Sequence, residues 1–144
     1  MKIDSYKRII GLDVGDRRIG VAVSDELRIT AQAVCTIERS TPANDFAAVK
    51  KLAEEYDAAA VVAGLPKKLD GTSSPQTEKV QQFLDGLRKH VEIPVLTWDE
   101  RFTTTSAEAS LIEADVGRKA RKKIIDAVAA QIMLQHYLDC TRSP

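Results

Sequence analysis

Apolar runs of the length expected of short β-strands occupy much of the first forty positions. Three runs rich in β-branched residues are separated by turn-forming residues, and Gly15-Asp16-Arg17-Arg18 joins the first two. The pattern predicts an antiparallel meander of three strands, at Arg8–Val14, Ile19–Ser24 and Thr30–Glu38.

Beyond position 40 the pattern changes to helices alternating with strands. Thr41-Pro42 is a helix start, and apolar residues recur at helical spacing as far as Tyr56. The continuous apolar run Ala59–Ala63 predicts a strand buried on both faces. Four further elements are predicted: a helix at Ser74–Arg88, a strand at Pro94–Thr97, and helices at Thr104–Ala114 and Arg121–Asp139. The order βββαβαβαα predicts an α/β fold with a five-stranded mixed sheet, an antiparallel meander extended by parallel strands, flanked by helices.

Composition limits the class of protein. A chain of 144 residues, 44% of them hydrophobic, is long enough for one core, so we expect a single domain over residues 1–144. The 21 basic and 21 acidic residues cancel, so any affinity for nucleic acid has to come from local patches. Two cysteines and two histidines at unrelated spacings do not favour zinc or a disulfide. The sequence has no signal-peptide pattern and no apolar stretch near the roughly 20 residues of a membrane span, so we expect a cytoplasmic protein without a membrane partner.

Two aspartates lie where aspartate is unexpected. Asp13 is inside an apolar strand, and Asp126 has apolar neighbours around most of its helix. The simpler explanations are that Asp13 bonds the turn amides after it, and that Asp126 pairs with Lys122 or Lys123. The second explanation is weak, because such a helical pair contributes only a few tenths of a kcal/mol.

A third acid is expected from Asp99 or Glu100, at the end of the fifth strand. Sites form at the carboxyl ends of parallel strands, where this pair could meet Asp13 and Asp126. Carboxylates about 4 Å apart repel by roughly 4 kcal/mol per pair at an effective dielectric near 20, so a cation must hold them ionised. An all-oxygen ligand set selects Mg²⁺ or Mn²⁺, and the chemistry it supports is phosphoryl transfer.

Basic residues cluster around the same predicted edge, although each cluster by itself could be a solvated face. The candidates for contact with nucleic acid are Arg17, Arg18, Lys67, Lys68, Arg101, Arg121, Lys122 and Lys123. Cations around an acidic centre suit a phosphodiester backbone, and the 5% aromatic content predicts little base stacking.

Four motifs in order together resemble the YqgF/RuvX family, within the ribonuclease H-like superfamily. They are Gly11–Asp25 (GLDVGDRRIGVAVSD), Val62–Pro66 (VAGLP) with Asp70-Gly71-Thr72, Asp99–Thr104 (DERFTT) and Lys123–Ala130 (KIIDAVAA). The family is described both as Holliday junction resolvases and as nucleases that mature the precursor of small-subunit ribosomal RNA. The resemblance covers almost the whole chain.

The resemblance implies a ribonuclease H-like fold and metal-dependent hydrolysis of phosphodiester bonds, with a role in ribosome biogenesis. By motif match, Asp13, Glu100 and Asp126 are the catalytic and metal-binding acids. Many relatives in the superfamily take the second acid from the end of the fourth strand, where this chain has Gly64-Leu65-Pro66. The role therefore goes to Glu100, with Asp99 as an alternative; Asp70 is better explained as a turn residue before Gly71.

The sequence is compatible with more than one substrate and with a function other than catalysis. The substrate is precursor 16S rRNA or branched DNA, and a two-fold junction would favour a homodimer. A non-catalytic RNA-binding module on the same scaffold is the main alternative to an enzyme. An actin-like kinase or chaperone would share the first hairpin, but it needs a second domain that 144 residues do not accommodate.

Overall fold

A computed structural model describes residues 7–68, 70–99 and 118–141, with the side chains of the last segment described from Ile125 onward. It contains five strands, β1 (Arg8–Val14), β2 (Arg18–Ser24), β3 (Ala31–Glu38), β4 (Ala58–Leu65) and β5 (Val95–Asp99). The helices are α1 (Pro42–Glu55), α2 (Pro75–Arg88) and α3 (Arg118–Thr141). The helix predicted at Thr104–Ala114 lies outside the described residues.

The strands form one sheet in the order β3-β2-β1-β4-β5. The pairs β1–β2 and β2–β3 are antiparallel, whereas β1–β4 and β4–β5 are parallel. The predicted meander extended by parallel strands is therefore confirmed. β4 is longer than predicted because Gly64 and Leu65 continue to pair with β5 at Trp98 and Asp99.

Local sequence signals explain where the first two helices begin. The Thr41 hydroxyl accepts a hydrogen bond from the Asn44 amide at 3.2 Å, ahead of proline in the first turn of α1. Ser74 and Thr77 form a reciprocal capping box at the start of α2. Both predicted starts are confirmed.

The sheet separates two cores with different helices. Alternate strand residues such as Ile10 and Leu12 pack with α1 and α2, while Ile9 and Val62 pack with α3. This alternation fixes which strand residues share a face with α3. Within the described part of the chain, no helix is both long and apolar enough to cross a bilayer.

Candidate active site

Asp13 is near the end of β1, on the face of the sheet that α3 covers. Two and four residues earlier, Gly11 lies against Leu134 of α3, and Ile9 belongs to the core that α3 completes. Because side chains two apart in a strand share a face, Asp13 points to the same side. It is half-buried, and its register partner on β2 is Gly20.

Asp126 reaches this place from α3. A Cβ built on Gly20 would lie 1.8 Å from the carbonyl oxygen of Asp126 and 3.0 Å from the amide nitrogen of Ala127. The helix backbone therefore rests directly on β2, which is feasible only because position 20 has no side chain. Asp13 and Asp126 consequently flank the same glycine, one beside it in the sheet and the other above it.

The described ion-pair partner of Asp126 is Arg18, the first residue of β2. The Arg18 Nε donates to the Asp126 Oδ2 at 2.6 Å, and the two side chains are 29% and 25% exposed. The simpler sequence explanation assigned Lys122 or Lys123 to this role; their side chains lie outside the described set. Arg18, predicted to bind nucleic acid, is thus engaged with a predicted catalytic acid.

The face of the sheet on which Asp99 lies helps to decide whether Asp99 or Glu100 is the third acid. Asp99 pairs in register with Leu65, which belongs to the core under α1 and α2, whereas Trp98 packs toward α3. Asp99 therefore lies on the face opposite to Asp13. Glu100 and Arg101 lie outside the described residues.

The donor chemistry fits a hard divalent cation as far as the described acids go. Asp13 and Asp126 offer only oxygen ligands, as Mg²⁺ and Mn²⁺ require. Within residues 7–68, 70–99 and 118–141, no three His, Cys, Asp or Glu side chains form a group that could hold a metal ion. The predicted set of three metal-binding acids is therefore complete only if Glu100 joins Asp13 and Asp126.

Several of the predicted basic residues lie at the edge where β1, β4 and β5 end. Arg17 is exposed in the β1–β2 turn, and Lys67 and Lys68 follow β4. The next turn is closed by Asp70, whose Oδ1 accepts from the Thr72 amide at 2.9 Å, so its expected turn role is confirmed. Arg121, Lys122 and Lys123 belong to the start of α3, the helix that carries Asp126.

Sequence reasoning missed two basic residues at this edge. Lys79 of α2 pairs with Asp16 of the β1–β2 turn at 3.7 Å, which adds a cation near Arg17. Arg39 follows β3 and lines an open pocket of about 590 Å³ together with Arg17 and Arg18. The sequence around Lys79 or Arg39 does not indicate this position. Each residue reaches the edge only because the fold brings it close to the β1–β2 turn, which is distant in sequence.

Arg39 holds the β1–β2 turn against α1. Its Nη1 donates to the Gly15 carbonyl at 2.8 Å, its Nε donates to Asp45 at 3.1 Å, and its guanidinium lies 4.9 Å from the centre of the Phe83 ring. Asp45 is 2% exposed and also accepts from the Ser40 amide at 3.0 Å. The buried Asp45 and the partly buried Arg39 together fix the turn that begins two residues after Asp13.

We expect Asp45→Asn to destabilise the protein by about 2 to 3 kcal/mol, because it leaves the Arg39 charge unpaired in a largely buried position. For a chain of this length, the melting temperature should fall by about 5 to 10 °C, measured by circular dichroism. Asp85→Asn is the matched control, since the Asp85–Arg88 pair is exposed and should contribute nothing measurable. Equal melting temperatures for the two variants would contradict the structural role of Asp45.

Cys35 does not resemble a reactive nucleophile. Cys35 is half-buried on β3, and Cys140 is exposed near the end of α3. Burial raises the pKa of the Cys35 thiol above its ordinary value, and the Glu55 carboxylate adds to the effect. A raised pKa disfavours the thiolate, which is the nucleophilic form.

The fold is shared with solved resolvase structures. The chain superimposes on Thermus thermophilus RuvC in complex with a Holliday junction substrate with a TM-score of 0.56 and 16% identity, covering 93% of this chain and 94% of RuvC. The fowlpox virus resolvase, solved with Holliday junction DNA, matches with a TM-score of 0.54 and 15% identity over 94% and 99% of the two chains. These likenesses define the fold class, a ribonuclease H-like sheet of the RuvC type.

The sequence comparisons identify the family within this class. The model of the family described as "RuvX: Holliday junction resolvase" matches residues 7–140, and the chain belongs to this family. A relative from Clostridium botulinum (strain Hall), named "Putative pre-16S rRNA nuclease", is 49% identical over 132 residues, covering 92% of this chain and 96% of the relative. A relative of the same name from Halothermothrix orenii is 52% identical over 132 residues, covering 92% and 94%. The expected family membership and fold are confirmed.

Proposed function

We propose that this protein is a divalent-metal-dependent nuclease that hydrolyses phosphodiester bonds of structured nucleic acid, acting in the cytoplasm in maturation of the 5′ end of precursor 16S rRNA. The observation that carries the proposal is the meeting of Asp13 and Asp126 across Gly20. Two half-buried acids from elements more than 100 positions apart lie on one face of the sheet. The names of the relatives support the choice of RNA.

In this proposal each acid has a defined role. Asp13, Asp126 and Glu100 would hold Mg²⁺ or Mn²⁺ through carboxylate oxygens, and the close approach of the α3 backbone to Gly20 places Asp126 on the face of the sheet that carries Asp13. The bound metal supplies Lewis acidity toward the phosphate and lowers the pKa of the attacking water. Asp99 lies on the face of the sheet opposite to Asp13, and this supports Glu100 rather than Asp99 as the third acid.

The basic residues hold the polymer rather than read its sequence. Arg17 in the β1–β2 turn and Lys68 after β4 are exposed at the edge where β1, β4 and β5 end, so they are suited to phosphate contacts that position the backbone. The proposed set is completed by Arg18, Lys67, Arg101 and the basic residues at the start of α3. Recognition then depends on the shape of the nucleic acid, which fits a nuclease that selects a structured site.

Cleavage of two substrates measured side by side tests the proposal. Purified protein is incubated with precursor 16S rRNA fragments and with four-way DNA junctions, in Mg²⁺, Mn²⁺ or EDTA. Cleavage of the RNA near the mature 5′ end, dependent on metal, is the expected result. Cleavage of the junction alone would replace the RNA proposal.

The junction alternative has its own structural support. The matching RuvC and fowlpox structures contain Holliday junction substrates, and the family model carries the resolvase description. A junction has two-fold symmetry, so this alternative predicts a homodimer bound to each junction. Sedimentation of the protein–junction complex measures that stoichiometry. Tight binding of either substrate without any cleavage would instead favour a non-catalytic RNA-binding module.

We expect replacement of Arg121, Lys122 and Lys123 by alanine to weaken substrate binding and to flatten its salt dependence. Each lost contact with a duplex phosphate should reduce the slope of log K against log salt by about 0.9, so by up to about 2.7 for three contacts. Fluorescence anisotropy at several salt concentrations gives the slope.

The control for this prediction removes three exposed lysines elsewhere, Lys50, Lys51 and Lys89. Lys50 lines a pocket with Ala58, the first residue of β4, at the end of the sheet away from the acids; Lys51 follows it in α1, and Lys89 directly follows the last residue of α2. The control should keep the wild-type slope. An unchanged slope in the Arg121, Lys122 and Lys123 variant would argue against backbone contacts by α3.

A further inference from the structure

Asp126 already has a cationic partner, and that partner occupies one of the two oxygens proposed to bind metal. The Arg18 Nε reaches the Asp126 Oδ2 at 2.6 Å, a short charge-assisted hydrogen bond. Arginine keeps its charge at any physiological pH, so the guanidinium cannot be neutralised in place. A divalent ion bound at Asp126 would therefore face a fixed positive charge at hydrogen-bond distance from its own ligand.

The surroundings of Arg18 offer a second position for its guanidinium. Arg18 itself lines the open pocket of about 590 Å³, together with Arg17, Arg39 and Ser40 and with the acids Asp16, Glu38 and Asp45. Among the described residues, Arg17 makes no side-chain hydrogen bond or ion pair, so its charge is available to a ligand in that pocket. The Arg18 side chain is 29% exposed, so solvent reaches part of it while it is paired with Asp126.

We propose that Arg18 is the counter-ion that Asp126 exchanges for a divalent cation, and that the released guanidinium then binds a phosphate of the substrate backbone beside Arg17. This inference rests on the proposed metal-dependent nuclease function. The exchange couples the binding of metal to the binding of nucleic acid. The metal displaces Arg18 from Asp126, and a phosphate that binds the displaced guanidinium prevents it from returning, so each ligand increases the affinity for the other. Such coupling is reciprocal by thermodynamic necessity.

Mn²⁺ titration of the full chain without nucleic acid tests the exchange. Isothermal titration calorimetry should give a dissociation constant for Arg18→Gln roughly tenfold lower than for the wild type, within the usual range of coupling between two ligands. Arg17→Gln is the matched control, since it removes the same charge from the neighbouring residue without touching Asp126. Its effect should stay below about twofold, because salt screens an exposed charge.

A second, conservative variant tests the exchange if Arg18→Gln does not fold. Arg18→Lys keeps the charge but loses the planar fork of donors that reaches Asp126. We expect Mn²⁺ to bind it more tightly than the wild type and less tightly than Arg18→Gln. Circular dichroism melting of each variant identifies any loss of folded protein.

The second half of the proposal is tested by nucleic-acid affinity in EDTA and in Ca²⁺, which also takes carboxylate oxygen ligands. The wild type should bind a four-way junction or RNA duplex roughly tenfold more tightly in Ca²⁺, within the usual range of coupling between two ligands. Arg18→Gln should show a smaller gain, because the bound cation still attracts phosphate but no guanidinium is released to bind it. Gel electrophoresis of the same samples verifies that the substrate is intact.

The outcomes separate the two proposals. Wild-type protein that binds Mn²⁺ no better than Asp126→Asn would overturn the metal site and, with it, the exchange. If the wild type binds Mn²⁺ and Arg18→Gln or Arg18→Lys binds it equally or more weakly, Arg18 is a fixed structural bridge. The nuclease proposal would then stand and the exchange would be wrong.

Discussion

Replacing Asp13 with asparagine should abolish metal-dependent cleavage while leaving the protein folded. Asparagine has the same shape and fits the half-buried position opposite Gly20, so packing is preserved. It lacks the negative charge that the proposed metal requires, and the metal contributes several kcal/mol to phosphoryl transfer. We expect the cleavage rate to fall by at least about a thousandfold, which corresponds to about 4 kcal/mol. Single-turnover cleavage with Mn²⁺ measures it.

Two comparisons make this prediction specific. Asp16→Asn removes an exposed acid three residues further on, whose described partner is Lys79, and should retain cleavage. Asp99→Asn should also retain most activity, whereas Glu100→Gln should lose it, because Asp99 lies on the opposite face from Asp13. Cleavage by Asp13→Asn at the wild-type rate would remove Asp13 from the active site. Loss of cleavage in Asp99→Asn alone would transfer the third role to Asp99.

Replacing Gly20 with alanine should displace α3 from the sheet. The added Cβ would lie 1.8 Å from the Asp126 carbonyl oxygen, and that atom belongs to helix backbone that cannot rotate away. We expect a loss of stability of about 3 kcal/mol or more, at the upper end of overpacking effects in protein cores. Urea unfolding gives this value. Trp98, the only tryptophan, packs on Tyr137 and donates to His136 of α3, so its fluorescence reports the docking of the helix.

Gly11→Ala is the control for Gly20→Ala, because it adds the same methyl group on a neighbouring strand beneath the same helix. Its Cβ would meet the Leu134 side chain, with the nearest atom at 2.9 Å, and no backbone within the three closest contacts. A side chain yields more readily than a helix backbone, so the loss of stability should be smaller. If Gly20→Ala were as stable as Gly11→Ala, close seating of α3 on β2 would not be required.

The local elements were largely predictable because each depends on neighbouring residues. The first hairpin follows from its turn, and the starts of α1 and α2 follow from Thr41-Pro42 and Ser74-Pro75. The boundaries of β4 were less accurate, since its last residues are held by pairing with β5 rather than by their own propensity. The extent of the single domain over residues 1–144 stays a prediction.

The candidate acids were found because they conflict with their surroundings. Asp13 and Asp126 interrupt apolar runs, and a half-buried carboxylate needs compensation that is detectable from sequence as a misfit. The compensating partner was not detectable, because Arg18 and Asp126 are 108 positions apart. The Arg39–Asp45 pair is close in sequence, yet its role depends on Gly15, which only the fold brings to Arg39.

The sequence alone determined the class of the fold, the family resemblance and the residues whose chemistry is out of place, because periodicity, turn residues and apolar context are local properties. Tertiary structure decided which residues meet. It seated Asp126 over Gly20 beside Asp13, paired Asp126 with Arg18, and turned Asp99 away from them. The physical reason is that strand register and the approach of α3 are set by packing across the whole sheet, and no single segment contains that information.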